Sequence, residues 1–88
     1  MTTIHREAIN VTPRQLEVLT FLSHRERWSV GEVASVLGVS SAAATKAITR
    51  LERKGLVKRF ENILDRRGVD VTLTRKGTEV LGSKANRI

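Results

Sequence analysis

The side chains best able to do chemistry in this chain are cations, and they are concentrated in one stretch. Residues 41–67 hold eight lysine and arginine residues against three acidic ones, which accounts for five of the seven net positive charges of the 88-residue chain. A concentrated positive charge attracts polyanions such as the phosphate backbone of a nucleic acid. The pattern therefore predicts a local basic surface.

Other chemistries find little support in the residue types. The chain has no cysteine, and His5 and His24 have no companion at ligand spacing, so we expect no disulfide and no metal site. A phosphate-cradling glycine loop, a nucleophile elbow and paired buried carboxylates are not found. With no tyrosine and only three aromatics in all, stacking on single-stranded nucleic acid is poorly supported, and Trp28 is expected to pack under the first helix. The sequence predicts neither an enzyme nor a cofactor.

No segment of the sequence indicates a membrane or an export signal. The first ten residues lack the apolar core of a signal peptide, and no apolar run approaches the roughly 18 residues that a membrane span needs. The absence of cysteine fits a reducing compartment. We therefore expect a cytoplasmic protein.

Three capped helices are predicted in the first half of the chain, over residues 13–24, 30–37 and 41–54. Each begins after a residue whose hydroxyl can cap the free amides, and these caps are Thr12, Ser29 and Ser40. Gly38 is a natural left-handed stop for the second helix, and only Val39 separates it from Ser40. So tight a turn makes the second and third helices cross steeply, as in a helix-turn-helix.

After Gly55 the chain changes to strand character. Residues 56–64 and 69–74 read as two strands of a hairpin whose basic tip is residues 65–68, and Thr74 can cap a short last helix that ends near Gly82. The order of elements predicts an α+β fold, a winged helix-turn-helix with a three-helix core, a two-stranded β-wing and a short C-terminal helix. The domain is expected over residues 12–82, after an N-terminal arm or short helix (1–11) and before a frayed tail (83–88).

One face of the third helix combines short side chains and cations without an acid. Because a face meant only for solvent usually interleaves both signs, we interpret this one as a reader of the DNA major groove, where lysine and arginine can reach guanine N7 and O6. The start of the helix also suits a phosphate. The predicted contact residues are Ser40, Ser41, Ala42, Thr45, Lys46, Thr49, Arg50 and Arg53.

The predicted wing carries a second set of candidate contacts. Asp65, Arg66 and Arg67 at its tip could be a charged hairpin end that deters aggregation. They equally suit a minor-groove probe in which the carboxylate orients a guanidinium. We favour the minor-groove interpretation, and we expect Lys58, on the preceding strand, to contact a phosphate.

Five segments together resemble a known family: VTPRQLEVL, EVASVLGVS, TKAITRLERKGLVKR, DRRGVDVTLT and RKG, spread over residues 11–82. They are similar to the multiple antibiotic resistance regulator (MarR) family of winged-helix transcription factors. The resemblance implies minor-groove contact for Arg66 and Arg67, with Asp65 as their orienting partner. It implies base or phosphate contact in the major groove for Ser41, Thr45, Lys46, Thr49 and Arg50.

This chain departs from the family pattern in two respects. Many members have arginine where this chain has Lys46, and a lysine cannot bind a base bidentately, which predicts looser base selectivity there. Family members carry long helices at both ends that interlock into a dimer, with a ligand pocket beside them, and relative to these the chain is shortened at both ends. A homodimer, if it forms, is expected to use residues 1–11 and 75–88.

Three functions fit the sequence. The first is a sequence-specific binder of double-stranded DNA that regulates transcription. The second is a winged-helix module that docks a protein, against which the acid-free face of the third helix argues. The third is an architectural DNA binder with little sequence preference, which keeps the charge but does not read bases.

Overall fold

The structure is a computed structural model that describes residues 11–62, 64 and 68–85. Seven elements follow one another: α1 (Pro13–Leu22), β1 (Trp28–Ser29), α2 (Val30–Leu37), α3 (Ser41–Arg53), β2 (Val57–Glu61), β3 (Val69–Leu73) and α4 (Arg75–Ala85). The strands form one antiparallel sheet in the order β1-β3-β2. The expected helices and both wing strands are present, and β1 is an addition that the sequence did not predict. The predicted arm lies outside the described residues except for Val11.

The three predicted caps are confirmed. The Ser29 hydroxyl accepts a hydrogen bond from the Glu32 N–H while the Glu32 carboxylate accepts one from the Ser29 N–H, a full capping box. Thr12 forms the equivalent box at α1, and Ser40 caps α3. Helix α1 ends at Leu22, two residues before its predicted end, where the Ser23 hydroxyl donates to the backbone carbonyl of Thr20 and competes with continuation of the helix.

The turn between α2 and α3 depends on Gly38. Its φ of 70° lies in the left-handed region, which costs a glycine nothing sterically. The following Val39 N–H then donates to the carbonyl of Ala34, so the chain reverses within two residues and enters α3. This turn fixes the angle at which α3 leaves the body of the protein.

An aliphatic core lies between the helices and the inner face of the sheet. Its largest fully buried side chains come from the first three helices, from β3 and from the turn before β2, and they are Leu19, Leu22, Val33, Ile48, Leu51, Leu56 and Val71. Trp28 closes one end of this core: it is buried, its Nε1 donates to the carbonyl of Leu22 at 3.0 Å, and its ring lies 4.1 Å from that of Phe21. The expected packing role of Trp28 under α1 is confirmed.

Helix α4 runs farther than the sequence predicted. Thr74 caps it as expected, with its hydroxyl accepting from the Gly77 N–H, but the helix passes Gly82 and ends at Ala85. Gly82 does not adopt the positive φ that would stop a helix, so it is only a weak point within one. The helix thus includes the first three residues of the predicted tail, 83–85, and residues 86–88 lie outside the described residues. None of the four helices in the described part of the chain is long and apolar enough to cross a membrane.

Candidate nucleic-acid interface

Helix α3 is held in the core by one face and presents the other to solvent. Ala44, Ile48 and Leu51 are buried to 1% exposure or less, and Ala47 packs beside them. On the opposite face, Thr49 is half-buried, and four residues are exposed: Ala42, Lys46, Arg50 and Arg53. The structure therefore brings the predicted outward residues together on one rigid surface.

The cations of this surface are not used to hold the fold. Among the described residues, the side chains of Lys46, Arg50 and Arg53 make no hydrogen bond, ion pair or ring contact. The helix beneath them spans 13 residues, about 20 Å at 1.5 Å per residue. Three cations on a helix of this length are available to a polyanion without breaking any internal contact.

Two neighbouring cations also make contacts within the fold. The Lys54 Nζ donates to Oε1 of Gln15 at 2.7 Å, which ties the end of α3 to the start of α1. The Arg59 Nε and Nη2 donate to Oε1 of Glu52 at 3.1 and 3.0 Å, which ties β2 to α3. Glu52 thus lies on the flank of α3 that faces the sheet, and the outward face keeps its acid-free character.

A polar groove of about 510 Å³ runs along that flank. Its walls come from the start of α2, from the first turns of α3 and from the wing strands, and its lining residues are Ser29, Val30, Gly31, Ser41, Thr45, Arg59, Gly68 and Val69. Hydroxyls, first-turn amides and a guanidinium are donors that suit a phosphate. Ser41 and Thr45, predicted as flanking contacts, are therefore part of a formed groove.

Lys58 does not lie in this groove. Successive residues of a strand point to opposite faces, and the buried Val57 and the Glu52-bound Arg59 define the face of β2 that is turned toward α3. Lys58 and Phe60 lie on the other face, where Lys58 is exposed and Phe60 is half-buried. The phosphate contact was predicted for Lys58, whereas the groove is lined by Arg59, two positions after the core residue Val57.

The charge at the start of α2 is set by the capping box. The Ser29 N–H that donates to the Glu32 carboxylate holds the pKa of that group below its usual range, against the opposing effect of desolvation, and the Arg25 guanidinium at 3.3 Å adds to the lowering. Arg25 is itself placed by the Trp28 ring, 3.8 Å from its guanidinium carbon. Glu32 therefore remains ionised and keeps the cap closed beside the groove.

The wing is described at its root. The Asn62 N–H donates to the carbonyl of Gly68 at 3.1 Å, which closes the hairpin, and Gly68 and Val69 line the groove opposite Ser41 and Thr45. The wing thus leaves the sheet beside α3. Its predicted contact residues Asp65, Arg66 and Arg67 lie outside the described residues.

Comparisons with known proteins agree with this architecture. Residues 11–69 match the model of the MarR family. The HTH-type transcriptional repressor MdtR of Bacillus subtilis is 41% identical over 71 residues, covering 81% of this chain and 46% of that protein. The HTH-type transcriptional regulator BilQ of Clostridioides difficile is 32% identical over 68 residues, with coverage of 77% and 46%. The chain spans about half the length of these relatives.

Solved structures show the same fold. A mutant MarR from E. coli in complex with operator DNA is similar with a TM-score of 0.80 at 32% identity, over 88% of this chain and 55% of that one. An S. aureus MepR–DNA complex gives a TM-score of 0.83 over 90% of this chain and 65% of that one, at 22% identity, which shows the fold alone. With the family match over residues 11–69 and the 41% identity to MdtR, the chain belongs to the MarR family.

Proposed function

We propose that this chain is a cytoplasmic, non-enzymatic, sequence-specific binder of double-stranded DNA that regulates transcription, with α3 in the major groove and the wing in the minor groove. The observation that carries the proposal is the outward face of α3. Lys46, Arg50 and Arg53 are exposed there and have no partner among the described residues, while the opposite face of the same helix is buried in the core.

This arrangement suits base reading rather than charge attraction alone. Ala42 and Thr49 are short, so the backbone of α3 can approach base edges closely, and an arginine such as Arg50 can bind guanine O6 and N7 bidentately. Lys46 can reach the same atoms but cannot form the bidentate pair, so it contributes less discrimination. The major groove, about 12 Å wide, accommodates one helix.

The groove beside α3 supplies a place for the DNA backbone. A phosphate lying between Ser41, Thr45 and Arg59 would fix the register of α3 on the duplex, because phosphate contacts position a protein and base contacts specify the site. A duplex held there would place its neighbouring minor groove at the wing, where the sequence provides Arg66 and Arg67.

The relatives support this role. The curated relatives are named transcriptional repressors or regulators, and the E. coli MarR mutant was solved with operator DNA. Their matched regions include the segment that carries α3. A homodimer would pair two such surfaces. Its subunits would then contact each other through residues 1–11 and 75–88.

Selection of bound sequences from a pool of random duplexes tests the proposal. We expect a short motif to be enriched over successive rounds. Retention of duplexes without enrichment of any motif would instead indicate an architectural DNA binder. Failure to retain duplexes at low salt, where phosphate contacts are strongest, would indicate a protein-docking module.

A further inference from the structure

The described part of the chain contains one buried charged side chain, that of Asp70, which is only 4% exposed. Asp70 is the second residue of the central strand β3, opposite Phe60 of β2 on one side and Ser29 of β1 on the other. A buried carboxylate is costly unless it is hydrogen-bonded and its charge is balanced. The burial of Asp70 therefore calls for a partner.

Asn62 provides the hydrogen bond. Its Nδ2 donates to Oδ2 of Asp70 at 3.3 Å, and its Oδ1 accepts from the Leu64 N–H at 3.0 Å. An ionised carboxylate can only accept. It therefore fixes the Asn62 amide with the nitrogen toward β3 and the oxygen toward the wing loop, where the bond from Leu64 forms an Asx-type turn.

Arg27 balances the charge. Its Nη1 lies 3.7 Å from Oδ2 of Asp70, and its guanidinium carbon lies 4.7 Å from the centre of the Phe60 ring. The Arg27 side chain is 60% exposed, so water screens this ion pair. The ring contact keeps the guanidinium over the carboxylate, and the Asn62 hydrogen bond is the stronger connection to the wing.

Asn62 also stabilises one wall of the candidate groove. Its backbone N–H donates to the carbonyl of Gly68, and Gly68 lines the groove opposite Thr45. Asp70 is thereby connected, through one side chain, to both sides of the wing root. Among the described residues, the side-chain partners of Asp70 are Asn62 and Arg27, and Asn62 is the one that reaches the wing root.

We propose that Asp70 is a positioning residue for the wing: by fixing the Asn62 amide it sets the root of the hairpin, and the minor-groove contribution to DNA affinity depends on it. The inference rests on the proposed function, in which the wing contacts the minor groove. We expect Asp70 to affect the preference for the sequence that flanks the site and not the discrimination among the bases that α3 reads.

The test uses Asp70→Asn, which keeps the size of the side chain but lets either end of its amide face Asn62. Asn62→Ala removes the same connection from the other side. Glu61→Gln is the matched control, because it removes one negative charge from an exposed neighbour in the same sheet. Each variant is titrated against duplexes with one selected core and either A·T-rich or G·C-rich flanks, and against a scrambled core.

We expect the wild type and Glu61→Gln to prefer A·T-rich flanks, where the minor groove is narrow. Asp70→Asn and Asn62→Ala should each lose about fivefold in affinity on the A·T-flanked duplex, the change expected from one hydrogen bond, and change less than about twofold on the G·C-flanked duplex. Discrimination between the selected and scrambled cores should stay intact. Thermal unfolding, followed by circular dichroism, shows whether each variant folds. If one variant does not fold, the affinities of the other variant test the inference.

Three outcomes would overturn the inference. A wild type without flank preference would remove the wing contact from the proposed function, and the role of Asp70 with it. If the wild type prefers A·T-rich flanks and a folded Asp70→Asn or Asn62→Ala variant keeps that preference, the proposed function stands and the positioning role is refuted. Equal weakening on both flanks would show that Asp70 acts only on general stability.

Discussion

Arg59 and Lys58 are neighbours in the sequence, but only Arg59 lines the groove beside α3. They therefore form a matched pair of charge removals. Arg59→Ala should weaken binding to selected and scrambled duplexes alike and flatten the dependence of log affinity on log salt by about one unit, since one phosphate contact is lost. It also leaves Glu52 unpaired near the phosphates, which adds to the loss. Lys58→Ala should have the smaller effect on both quantities.

Titrations at several salt concentrations measure this difference. A Lys58→Ala variant with the larger loss of salt dependence would show that the DNA backbone passes along the opposite face of the sheet. The placement of the phosphate in the groove would then be wrong.

Glu32 gives the cap of α2 a dependence on pH. Its pKa is lowered in the folded protein, chiefly by the Ser29 N–H, so the unfolded chain binds the proton more tightly. The stabilisation is then fully present above the ordinary pKa of glutamate and is lost as the pH falls through the lower folded value. Glu32→Gln should lower the unfolding midpoint near pH 7, and its difference from the wild type should narrow as the pH falls below the ordinary range of glutamate.

Urea unfolding across this pH range checks the prediction, with Glu79→Gln on the exposed side of α4 as the charge-matched control. A destabilisation by Glu32→Gln that was the same at pH 3 and pH 7 would mean that the ionised carboxylate does not hold the cap.

At the scale of elements, the sequence predicted the helices best where a side chain marks the start. The hydroxyls of Thr12, Ser29 and Ser40 act locally, so their effect can be read without knowing the rest of the fold. The sequence did not predict strand β1, because its two residues, Trp28 and Ser29, are too few to show a periodicity. Its pairing with β3 is a long-range contact that no local pattern records.

The same long-range contacts decided which cations belong to the candidate site. That the outward face of α3 carries unpaired cations follows from helical periodicity alone. The assignment of Arg59 to the groove and of Asp70 to the interior depends instead on tertiary contacts, with Glu52 for Arg59 and with Arg27 and Asn62 for Asp70. Strand alternation gives two faces but does not say what packs on each.

Helix α4 contains two glycines with opposite expected responses to alanine. A Cβ at Gly77 would overlap the backbone carbonyl of Leu56, whereas a Cβ at Gly82 would meet nothing. Gly77→Ala should therefore destabilise the fold by about 1–3 kcal/mol, as overpacking does. Gly82→Ala should stabilise it by about 0.5–1 kcal/mol, because alanine favours the interior of a helix. Denaturant unfolding measures both, and a Gly77→Ala variant as stable as the wild type would contradict the close packing of α4 on Leu56.

At the scale of the whole molecule, the oligomeric state determines the form of the DNA site. A monomer presents one α3 and should select one short half-site. A dimer with two-fold symmetry should select two inverted half-sites on one face of the duplex, about 10 base pairs apart or a multiple of that, since one turn of B-DNA sets the spacing. Sedimentation at micromolar concentration, compared with the selected motif, checks this correspondence. A monomer in solution that selects perfect palindromes would show that dimerisation occurs on DNA.

The central claim is that α3 reads bases, and Arg50→Ala tests it most directly. Arg75→Ala is the control, because it removes the same charge from a side chain on α4 that is 91% exposed. Affinities are measured for the selected duplex and for a scrambled one at fixed salt. We expect Arg50→Ala to cost about 1–3 kcal/mol on the selected duplex and much less on the scrambled one, while Arg75→Ala changes both slightly and equally. An equal loss on both duplexes for Arg50→Ala would contradict the claim and leave α3 as a holder of the DNA backbone.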